Sequence, residues 1–360
     1  MHRCLSIGDV VRVVCSHLEA EFAYHTLAIL ARTSCVFQSP ALDFLWCYQS
    51  TLRNILQCLP TDLLTFDDQN ADRERNRKVV VRLLRPIVSS DWDRARLYTH
   101  RVRGLDCDGD SLSLSQIFPA LSISLPDDFL FPNLSELTWR FPEGDFHFIN
   151  LCLARTLTEI SIWPSSAFQL SILSTLPRRC PALKSLCIKG EVPPSASACL
   201  PLAQLPHLET LRIPADDFAT LEVIGKLRNL TYLTLRNPPR DLASSIPPAS
   251  IFQNTRQIDL LRVTPPAATE FLMLCTAASL TAVEVEFDSW PSTSALHQLH
   301  SALGVCHNSY LSLTSLIIDI ARFSPVFEGD IVSHAVDSAT LRILLLFREP
   351  HRRAHWGGLI

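Results

Sequence analysis

Glycine is scarce: 10 residues in 360, roughly 3 % where about 7 % is usual. Phosphate-cradling loops need glycine, and neither G-x-G-x-x-G nor G-x-x-x-x-G-K-[ST] occurs. Charged residues are also sparse at 19 %, with a net charge of −4 and a pI near 6.3. That balance gives no bulk attraction to nucleic acid. No run of about 18 apolar residues exists, so no membrane span is expected. The apolar run Val10 to Val14 is broken by Arg12 and followed by no small-residue cleavage site, which argues against a signal peptide. The 12 cysteines never form C-x-x-C, and several, such as Cys107 and Cys187, sit inside strand-like stretches. In a long chain with no secretion signal they read as thiols rather than a disulfide framework. A reducing setting, cytoplasmic and/or nuclear, is the expectation, with no cofactor and no membrane or nucleic-acid partner.

What the chain does have is apolar content, 47 %, enough to bury a large core. Much of it sits in a recurring phrase, L-x-x-L-x-L. It reads Leu134…Leu137…Trp139, Leu157…Ile160…Ile162, Leu183…Leu186…Ile188, Leu208…Leu211…Ile213 and Leu230…Leu233…Leu235. It continues as Thr255…Ile258…Leu260, Leu280…Val283…Val285, Leu313…Leu316…Ile318 and Leu341…Leu344…Leu346. First positions step by 23, 26, 25, 22, 25, 25, 33 and 28 residues, the spacing of a leucine-rich repeat, one strand plus a return segment per unit. The 24 prolines fall mostly between the phrases, as turn formers. Helices are expected in the return segments 167–176, 267–276 and 294–303.

Residues 4–60 follow a helical period instead. Ile7, Val10, Val11, Val14 and Leu18 form one set, and Leu27, Leu30, Ala31 and Cys35 a second. Leu42, Leu45 and Trp46 form a third, with Pro40 expected near the helix start, where proline is tolerated. Leu52, Ile55, Leu56 and Leu59 make a short fourth helix ended by Pro60. These helices could dock an apolar face in a partner's groove, or simply cap a solenoid.

The stretches Cys4–Leu18, Thr26–Phe37 and Ala41–Trp46 resemble an F-box, most like that of mushroom-forming fungi, where it precedes leucine-rich repeats. The segment Arg85-Pro-Ile-Val-Ser-Ser-Asp-Trp-Asp93, with Tyr98 and Arg101–Leu105, resembles the junction in those proteins. Gly8 stands where such a motif usually has Pro. The resemblance implies a non-enzymatic substrate receptor of a cullin-type ubiquitin ligase. The F-box would dock on a Skp-type adaptor subunit through Leu5, Ile7, Val10, Val11, Val14, Leu18, Leu27, Leu30, Leu42, Leu45 and Trp46. The repeats would hold an unidentified target protein. A repeat scaffold with no ligase link is the alternative.

The expected architecture is α/β: an F-box-like helical domain at 1–60, linker and junction at 61–99, an irregular solenoid of parallel strands and helical returns at 100–348, and an irregular tail at 349–360. Residues 66–78 read as a solvated loop, Val79 to Leu84 as a strand, and Arg101–Cys107 as a first irregular repeat. The tail carries no cap, so either it folds back or the natural protein is longer. Within each phrase, positions one, four and six should point inward and positions three, five and seven outward. The outward ribbon includes Glu136, Thr138, Arg140, Glu159, Ser161, Cys187, Lys189 and Thr234. Its candidates for target binding are Trp163, Arg212, Tyr232, Arg236, Asp259 and Glu284, because aromatic and arginine residues dominate binding hot spots. The Asn that usually follows the phrase is missing in nearly every unit, so a regular asparagine ladder is not expected.

Other constellations are set aside. Asp106-Cys-Asp-Gly-Asp110 lacks the Gly and Glu positions of a calcium loop and reads as a turn. His297, His300, Cys306 and His307 lack a zinc framework. Asp127-Asp128 and Asp216-Asp217 read as loop or helix-start residues. No G-x-S-x-G is present.

Overall fold

The computed structural model describes residues 8–68, 79–109, 112–125, 129–239, 252–275 and 280–288, positions scattered from 292 to 302, and strands at 315–320 and 341–346. The chain is α/β and divides into two compact units, Met1–Gly190 and Glu191–Ile360. Leu5, Ile7 and the expected tail at 349–360 lie outside the described residues.

The first unit opens with three helices, α1 (Gly8–Ala20), α2 (Tyr24–Thr33) and α3 (Cys35–Cys47). Val11, Cys15, Leu27, Phe37 and Ala41 form their shared core, with Leu18, Leu30 and Leu45 packed against it. Ser34 caps α3 by accepting the Val36 N–H. The helix therefore begins earlier than expected, and Pro40 lies inside it rather than near its start. Because proline has no N–H, the Val36 carbonyl lacks its helical donor there.

A strand β1 (Tyr48–Gln49) and a short helix α4 (Arg53–Leu56) come after α3, with Leu52, Ile55, Leu56 and Leu59 all buried. Next are β2 (Leu64–Asp68) and β3 (Val79–Leu83), paired antiparallel. Residues 66–68, expected as loop, thus continue a strand, because Phe66 pairs with the buried Val81. Residues 69–78 lie outside the described set. Arg85 clasps the segment before β2 to the helical turn Ser89–Trp92. It donates to both oxygens of the buried Asp91, at 2.8 and 2.9 Å, and to Asp62 at 2.8 Å. Helix α5 (Asp93–Thr99) is held on α3 by Trp46, which stacks on Tyr98 with ring centroids 4.5 Å apart. Arg101, just beyond α5, pairs with Asp43 of α3.

The rest of the unit alternates strands and short return helices: β4 (Gly104–Asp108), β5 (Leu112–Ser113), α6 (Phe118–Ser124), β6 (Glu136–Arg140), α7 (Glu143–Phe146), β7 (Glu159–Ile162), α8 (Leu176–Arg179) and β8 (Ser185–Ile188). Strands β1, β4, β6, β7 and β8 pair in that order, all parallel. β5 pairs with β3 instead. Asp106 and Cys107, read both as the end of a first irregular repeat and, with Asp108, as part of a turn, belong with Asp108 to strand β4, which pairs along its whole length with β6. Trp139 points inward and meets Phe141 at 4.4 Å and Phe118 at 6.0 Å, centroid to centroid.

The second unit holds α9 (Ala196–Cys199), β9 (Thr210–Pro214), α10 (Phe218–Gly225), β10 (Tyr232–Arg236), β11 (Gln257–Val263), α11 (Pro265–Leu274), β12 (Ala282–Phe287), β13 (Ser315–Ile320) and β14 (Leu341–Leu346). Strands β9 to β13 pair parallel in order, and β14 pairs antiparallel with β13. That reversal corrects the expectation of uniformly parallel strands. Side chains alternate with period two in either direction, so the phrase cannot specify which way its strand runs. The return segment at 169–179 is helical in two short pieces, and α11 covers most of 267–276. The described positions from 294 to 302 are helical. Asp217 caps α10 by accepting the Thr220 N–H at 2.6 Å, the helix-start role read from its sequence.

In every phrase from Leu134 to Val285, positions one, four and six are buried, none more than 4 % exposed. The second-position carbonyls of Ser135, Thr158, Glu209, Thr231 and Arg256 each join neighbouring strands by accepting two backbone donors. Ser135 accepts from Thr158 and Glu159, at 2.9 and 3.0 Å, and Thr231 from Arg256 and Gln257, at 2.8 and 3.0 Å. Threonine hydroxyls at the second position reinforce the same carbonyls, as Thr158 to Ser135 at 3.1 Å and Thr281 to Arg256 at 3.1 Å.

Gly190 lies just past β8 and is buried. A Cβ there would stand 2.1 Å from the Pro164 carbonyl oxygen, a backbone atom with no rotamer to move aside. Gly190→Ala is therefore expected to destabilise the protein by about 1–3 kcal/mol, as overpacking does, whereas Gly144→Ala meets open space and is tolerated. Urea unfolding of the two variants checks this, and an unchanged midpoint for Gly190→Ala would refute it.

Candidate functional site

The helical candidates separate by burial. Val11 and Leu27 are interior, and Leu18, Leu30 and Leu45 pack against that interior. Trp46 is engaged by Tyr98. Val10 and Leu42 are half-buried, and only Val14, at 37 %, is exposed. Sequence spacing missed Val13 (55 % exposed), Phe22 (77 %), Tyr24 and Ile29. Val13 is two residues past Val11, about 200° round a helix, so it leaves the core face. Phe22 ends α1 with φ 56°, a conformation usual for glycine at a helix C-terminus. Its N–H bonds Glu19 and that of Ala23 bonds Leu18, at 2.9 and 2.8 Å, which closes the helix end. An exposed aromatic ring is thus held at a strained position. A Phe in the chain gives no sign of this; only the φ angle does.

In the first unit, the outward rows of the sheet place Trp163 under two cations. The Arg140 guanidinium lies 5.1 Å from its ring centroid and the Lys189 ammonium 4.5 Å. Arg140 also donates to Asp106 at 3.2 Å. Trp163 was a candidate from the sequence; Arg140 and Lys189 were ribbon positions but not candidates. Strand register brings them together, because Arg140, Trp163 and Lys189 stand at the same position of three adjacent strands.

In the second unit, three candidates form one hydrogen-bonded chain. Arg212 donates to the Tyr232 hydroxyl at 2.9 Å, and that hydroxyl donates to Asp259. Gln257 adds a donation to Asp259 at 3.4 Å. Asp259 was expected outward and exposed, yet it is only 6 % exposed. It sits mid-strand, where these neighbours cover it. Cys187, Thr234 and Pro214, also expected outward, are buried too. The first two have side chains too short to rise above the rows beside them. Arg236 and Glu284 are half-exposed.

Three buried thiols are not poised for nucleophilic work. Burial pushes the Cys180 and Cys199 thiols up to about 12 and the Cys107 thiol well up, and the thiolate is the nucleophilic form. Among the described residues, no group of three His, Cys, Asp or Glu could hold a metal, and no helix is long and apolar enough to cross a membrane. His300, Cys306, His307 and Asp127-Asp128 lie outside the described residues. The arrangement is suited to holding a partner by apolar, stacking and charged contacts.

Comparison with family models finds no match to this chain, and no curated protein matches it.

The Tyr232 phenol is raised above its ordinary value of 10.0, first by burial and then by the hydrogen bond it donates to Asp259. The folded state thus favours the neutral phenol. The stability this contributes is complete below pH 10 and is lost as pH rises through the raised folded value. Thermal melts are therefore expected to fall more steeply above pH 10 in the wild type than in Tyr232→Phe. Parallel pH profiles would show that the hydroxyl carries no such linkage.

Proposed function

We propose that this protein is a non-enzymatic substrate receptor of a Skp–cullin–F-box-type ubiquitin ligase. Helices α1 to α3 are the F-box-like part and dock on the Skp-type adaptor subunit. The strand-and-return units beyond them are irregular leucine-rich repeats, and their outward rows hold the target protein. The chemistry of ubiquitin transfer belongs to the ligase's other subunits.

The observation that carries this reading is an order of parts. A compact helical unit keeps apolar side chains on its outside, Val13, Val14, Phe22 and Ile29 among them. Beyond it, after the β2–β3 pair and α5, come in-register parallel strands whose inward positions from Leu134 to Val285 are buried. A helical core needs none of those exposed apolar residues, while an interface does. The burial of Val11 and Leu27 favours a second reading, in which the helices only cap a repeat scaffold.

Co-purification with a Skp-type adaptor separates the two. The wild-type chain is expected to capture the adaptor. Val14→Asp, and more strongly Val10→Asp with Val14→Asp, should weaken capture by about tenfold or more, the scale of a charge forced into an apolar contact. Far-UV circular dichroism of Val14→Asp should stay at the wild-type level. Adaptor capture that survives the double substitution, or is absent from the wild type, removes the ligase assignment and leaves the scaffold.

A further inference from the structure

The outward face of β6, β7 and β8 sorts its side chains into three rows of different chemistry. Parallel, in-register pairing aligns Glu136 with Glu159 and Ser185, and Thr138 with Ser161 and Cys187. Beyond the strands the ladder continues, since Trp163 N–H reaches Trp139 O at 3.3 Å and Lys189 N–H reaches Ile162 O at 2.9 Å. Arg140, Trp163 and Lys189 therefore form the third row.

The first row is acidic on β6 and β7, where both glutamates are exposed, and ends in Ser185 on β8. The third row is cationic and aromatic. Arg140 and Lys189 share the Trp163 ring, so their charges lie within about 10 Å of each other, near one Debye length, and their fields add, with Arg140 partly offset by its bond to Asp106. The middle row is Thr138, Ser161 and Cys187, three short side chains. The outer rows are four residues apart along each strand, about 13 Å. The result is a trough that crosses the strands, with a floor of short side chains, one acidic wall and one basic wall carrying a tryptophan.

We propose that this trough binds an extended protein segment of alternating charge. An extended chain throws successive side chains to opposite sides. Its basic residues would meet Glu136 and Glu159 while its acidic residues meet Arg140 and Lys189, and Trp163 gives the flat contact that anchors it. A uniformly acidic segment would be repelled by the first wall and a uniformly basic one by the third. The proposal rests on the reading of this sheet face as the target-holding surface, and it names the kind of target.

Fluorescence anisotropy of the full chain with three labelled peptides tests it: Glu alternating with Lys, Glu alternating with Gly, and Lys alternating with Gly. The mixed-charge peptide is expected to bind at least tenfold tighter than either single-sign peptide, and Trp163→Ala to lose about tenfold. Glu136→Lys with Glu159→Lys makes both walls basic, so the Glu–Gly peptide should then overtake the mixed one. A preference gained in that way cannot come from misfolding. Equal binding of the three peptides by the wild type, mixed-peptide binding unchanged in Trp163→Ala, or no change of preference in the double variant overturns the proposal. Adaptor capture is measured on the same preparations. Lost peptide preference with adaptor capture intact sinks the trough alone. Peptide preference with no adaptor capture sinks the ligase reading alone.

Discussion

Each unit depends on in-register parallel pairing of short strands. That pairing puts equivalent residues of successive phrases side by side, so one sequence rule is read out as continuous rows. Inward rows at positions one, four and six bury against the return segments and supply the apolar stabilisation. A fully buried aliphatic side chain contributes roughly 1.5–3 kcal/mol, and the phrases from Leu134 to Val285 each bury two or three such side chains, with Trp139 and Thr255 at the other positions. Five second-position carbonyls, those of Ser135, Thr158, Glu209, Thr231 and Arg256, each accept two backbone donors from the next strand and keep the register from slipping. A slip of one residue would turn every inward side chain outward.

Register also creates the outward surface. Neither Arg140, Trp163 nor Lys189 is unusual in its own phrase. Stacked at one position of adjacent strands, they become a cation–aromatic row. Arg212, Tyr232 and Asp259 likewise become a hydrogen-bonded chain across three strands of the second unit. The same device leaves Cys187 and Thr234 sunk between taller rows. Exposure on such a face is thus decided by the neighbours on adjoining strands as much as by the alternation within one strand.

Much of this was legible in the chain. The phrase located the strands from β6 to β12 and named their inward residues, because period-two burial needs only local information. Helical spacing found α1 to α3 for the same reason. Three things were not legible. The direction of β14 was hidden because alternation reads the same both ways. The extent of α3 was hidden because a cap at Ser34 outweighed the usual placement of Pro40. The asparagine that usually follows the phrase is missing in nearly every unit, but asparagines just before three phrases bond the carbonyls of the preceding unit. Asn133 donates to His100 O at 2.8 Å, and Asn229 and Asn254 donate to Pro206 and Arg228 carbonyls. The signal was present as an Asn directly ahead of Leu134, Leu230 and Thr255.

The sequence by itself determined which residues are inside: the L-x-L half of the phrase satisfies its apolar positions as a strand with one buried face, and the first leucine is buried just ahead of that strand. It also determined that the N-terminal part is helical, since a 3.6-residue period buries nothing as a strand. Only the tertiary structure decided which outward residues meet. Contacts such as Trp163 with Lys189 join residues 26 positions apart, and the return segment between them sets the register. Only the tertiary structure, too, divided the helical candidates into core and surface, because one apolar stripe can face its own neighbours or a partner, and packing alone chooses between them.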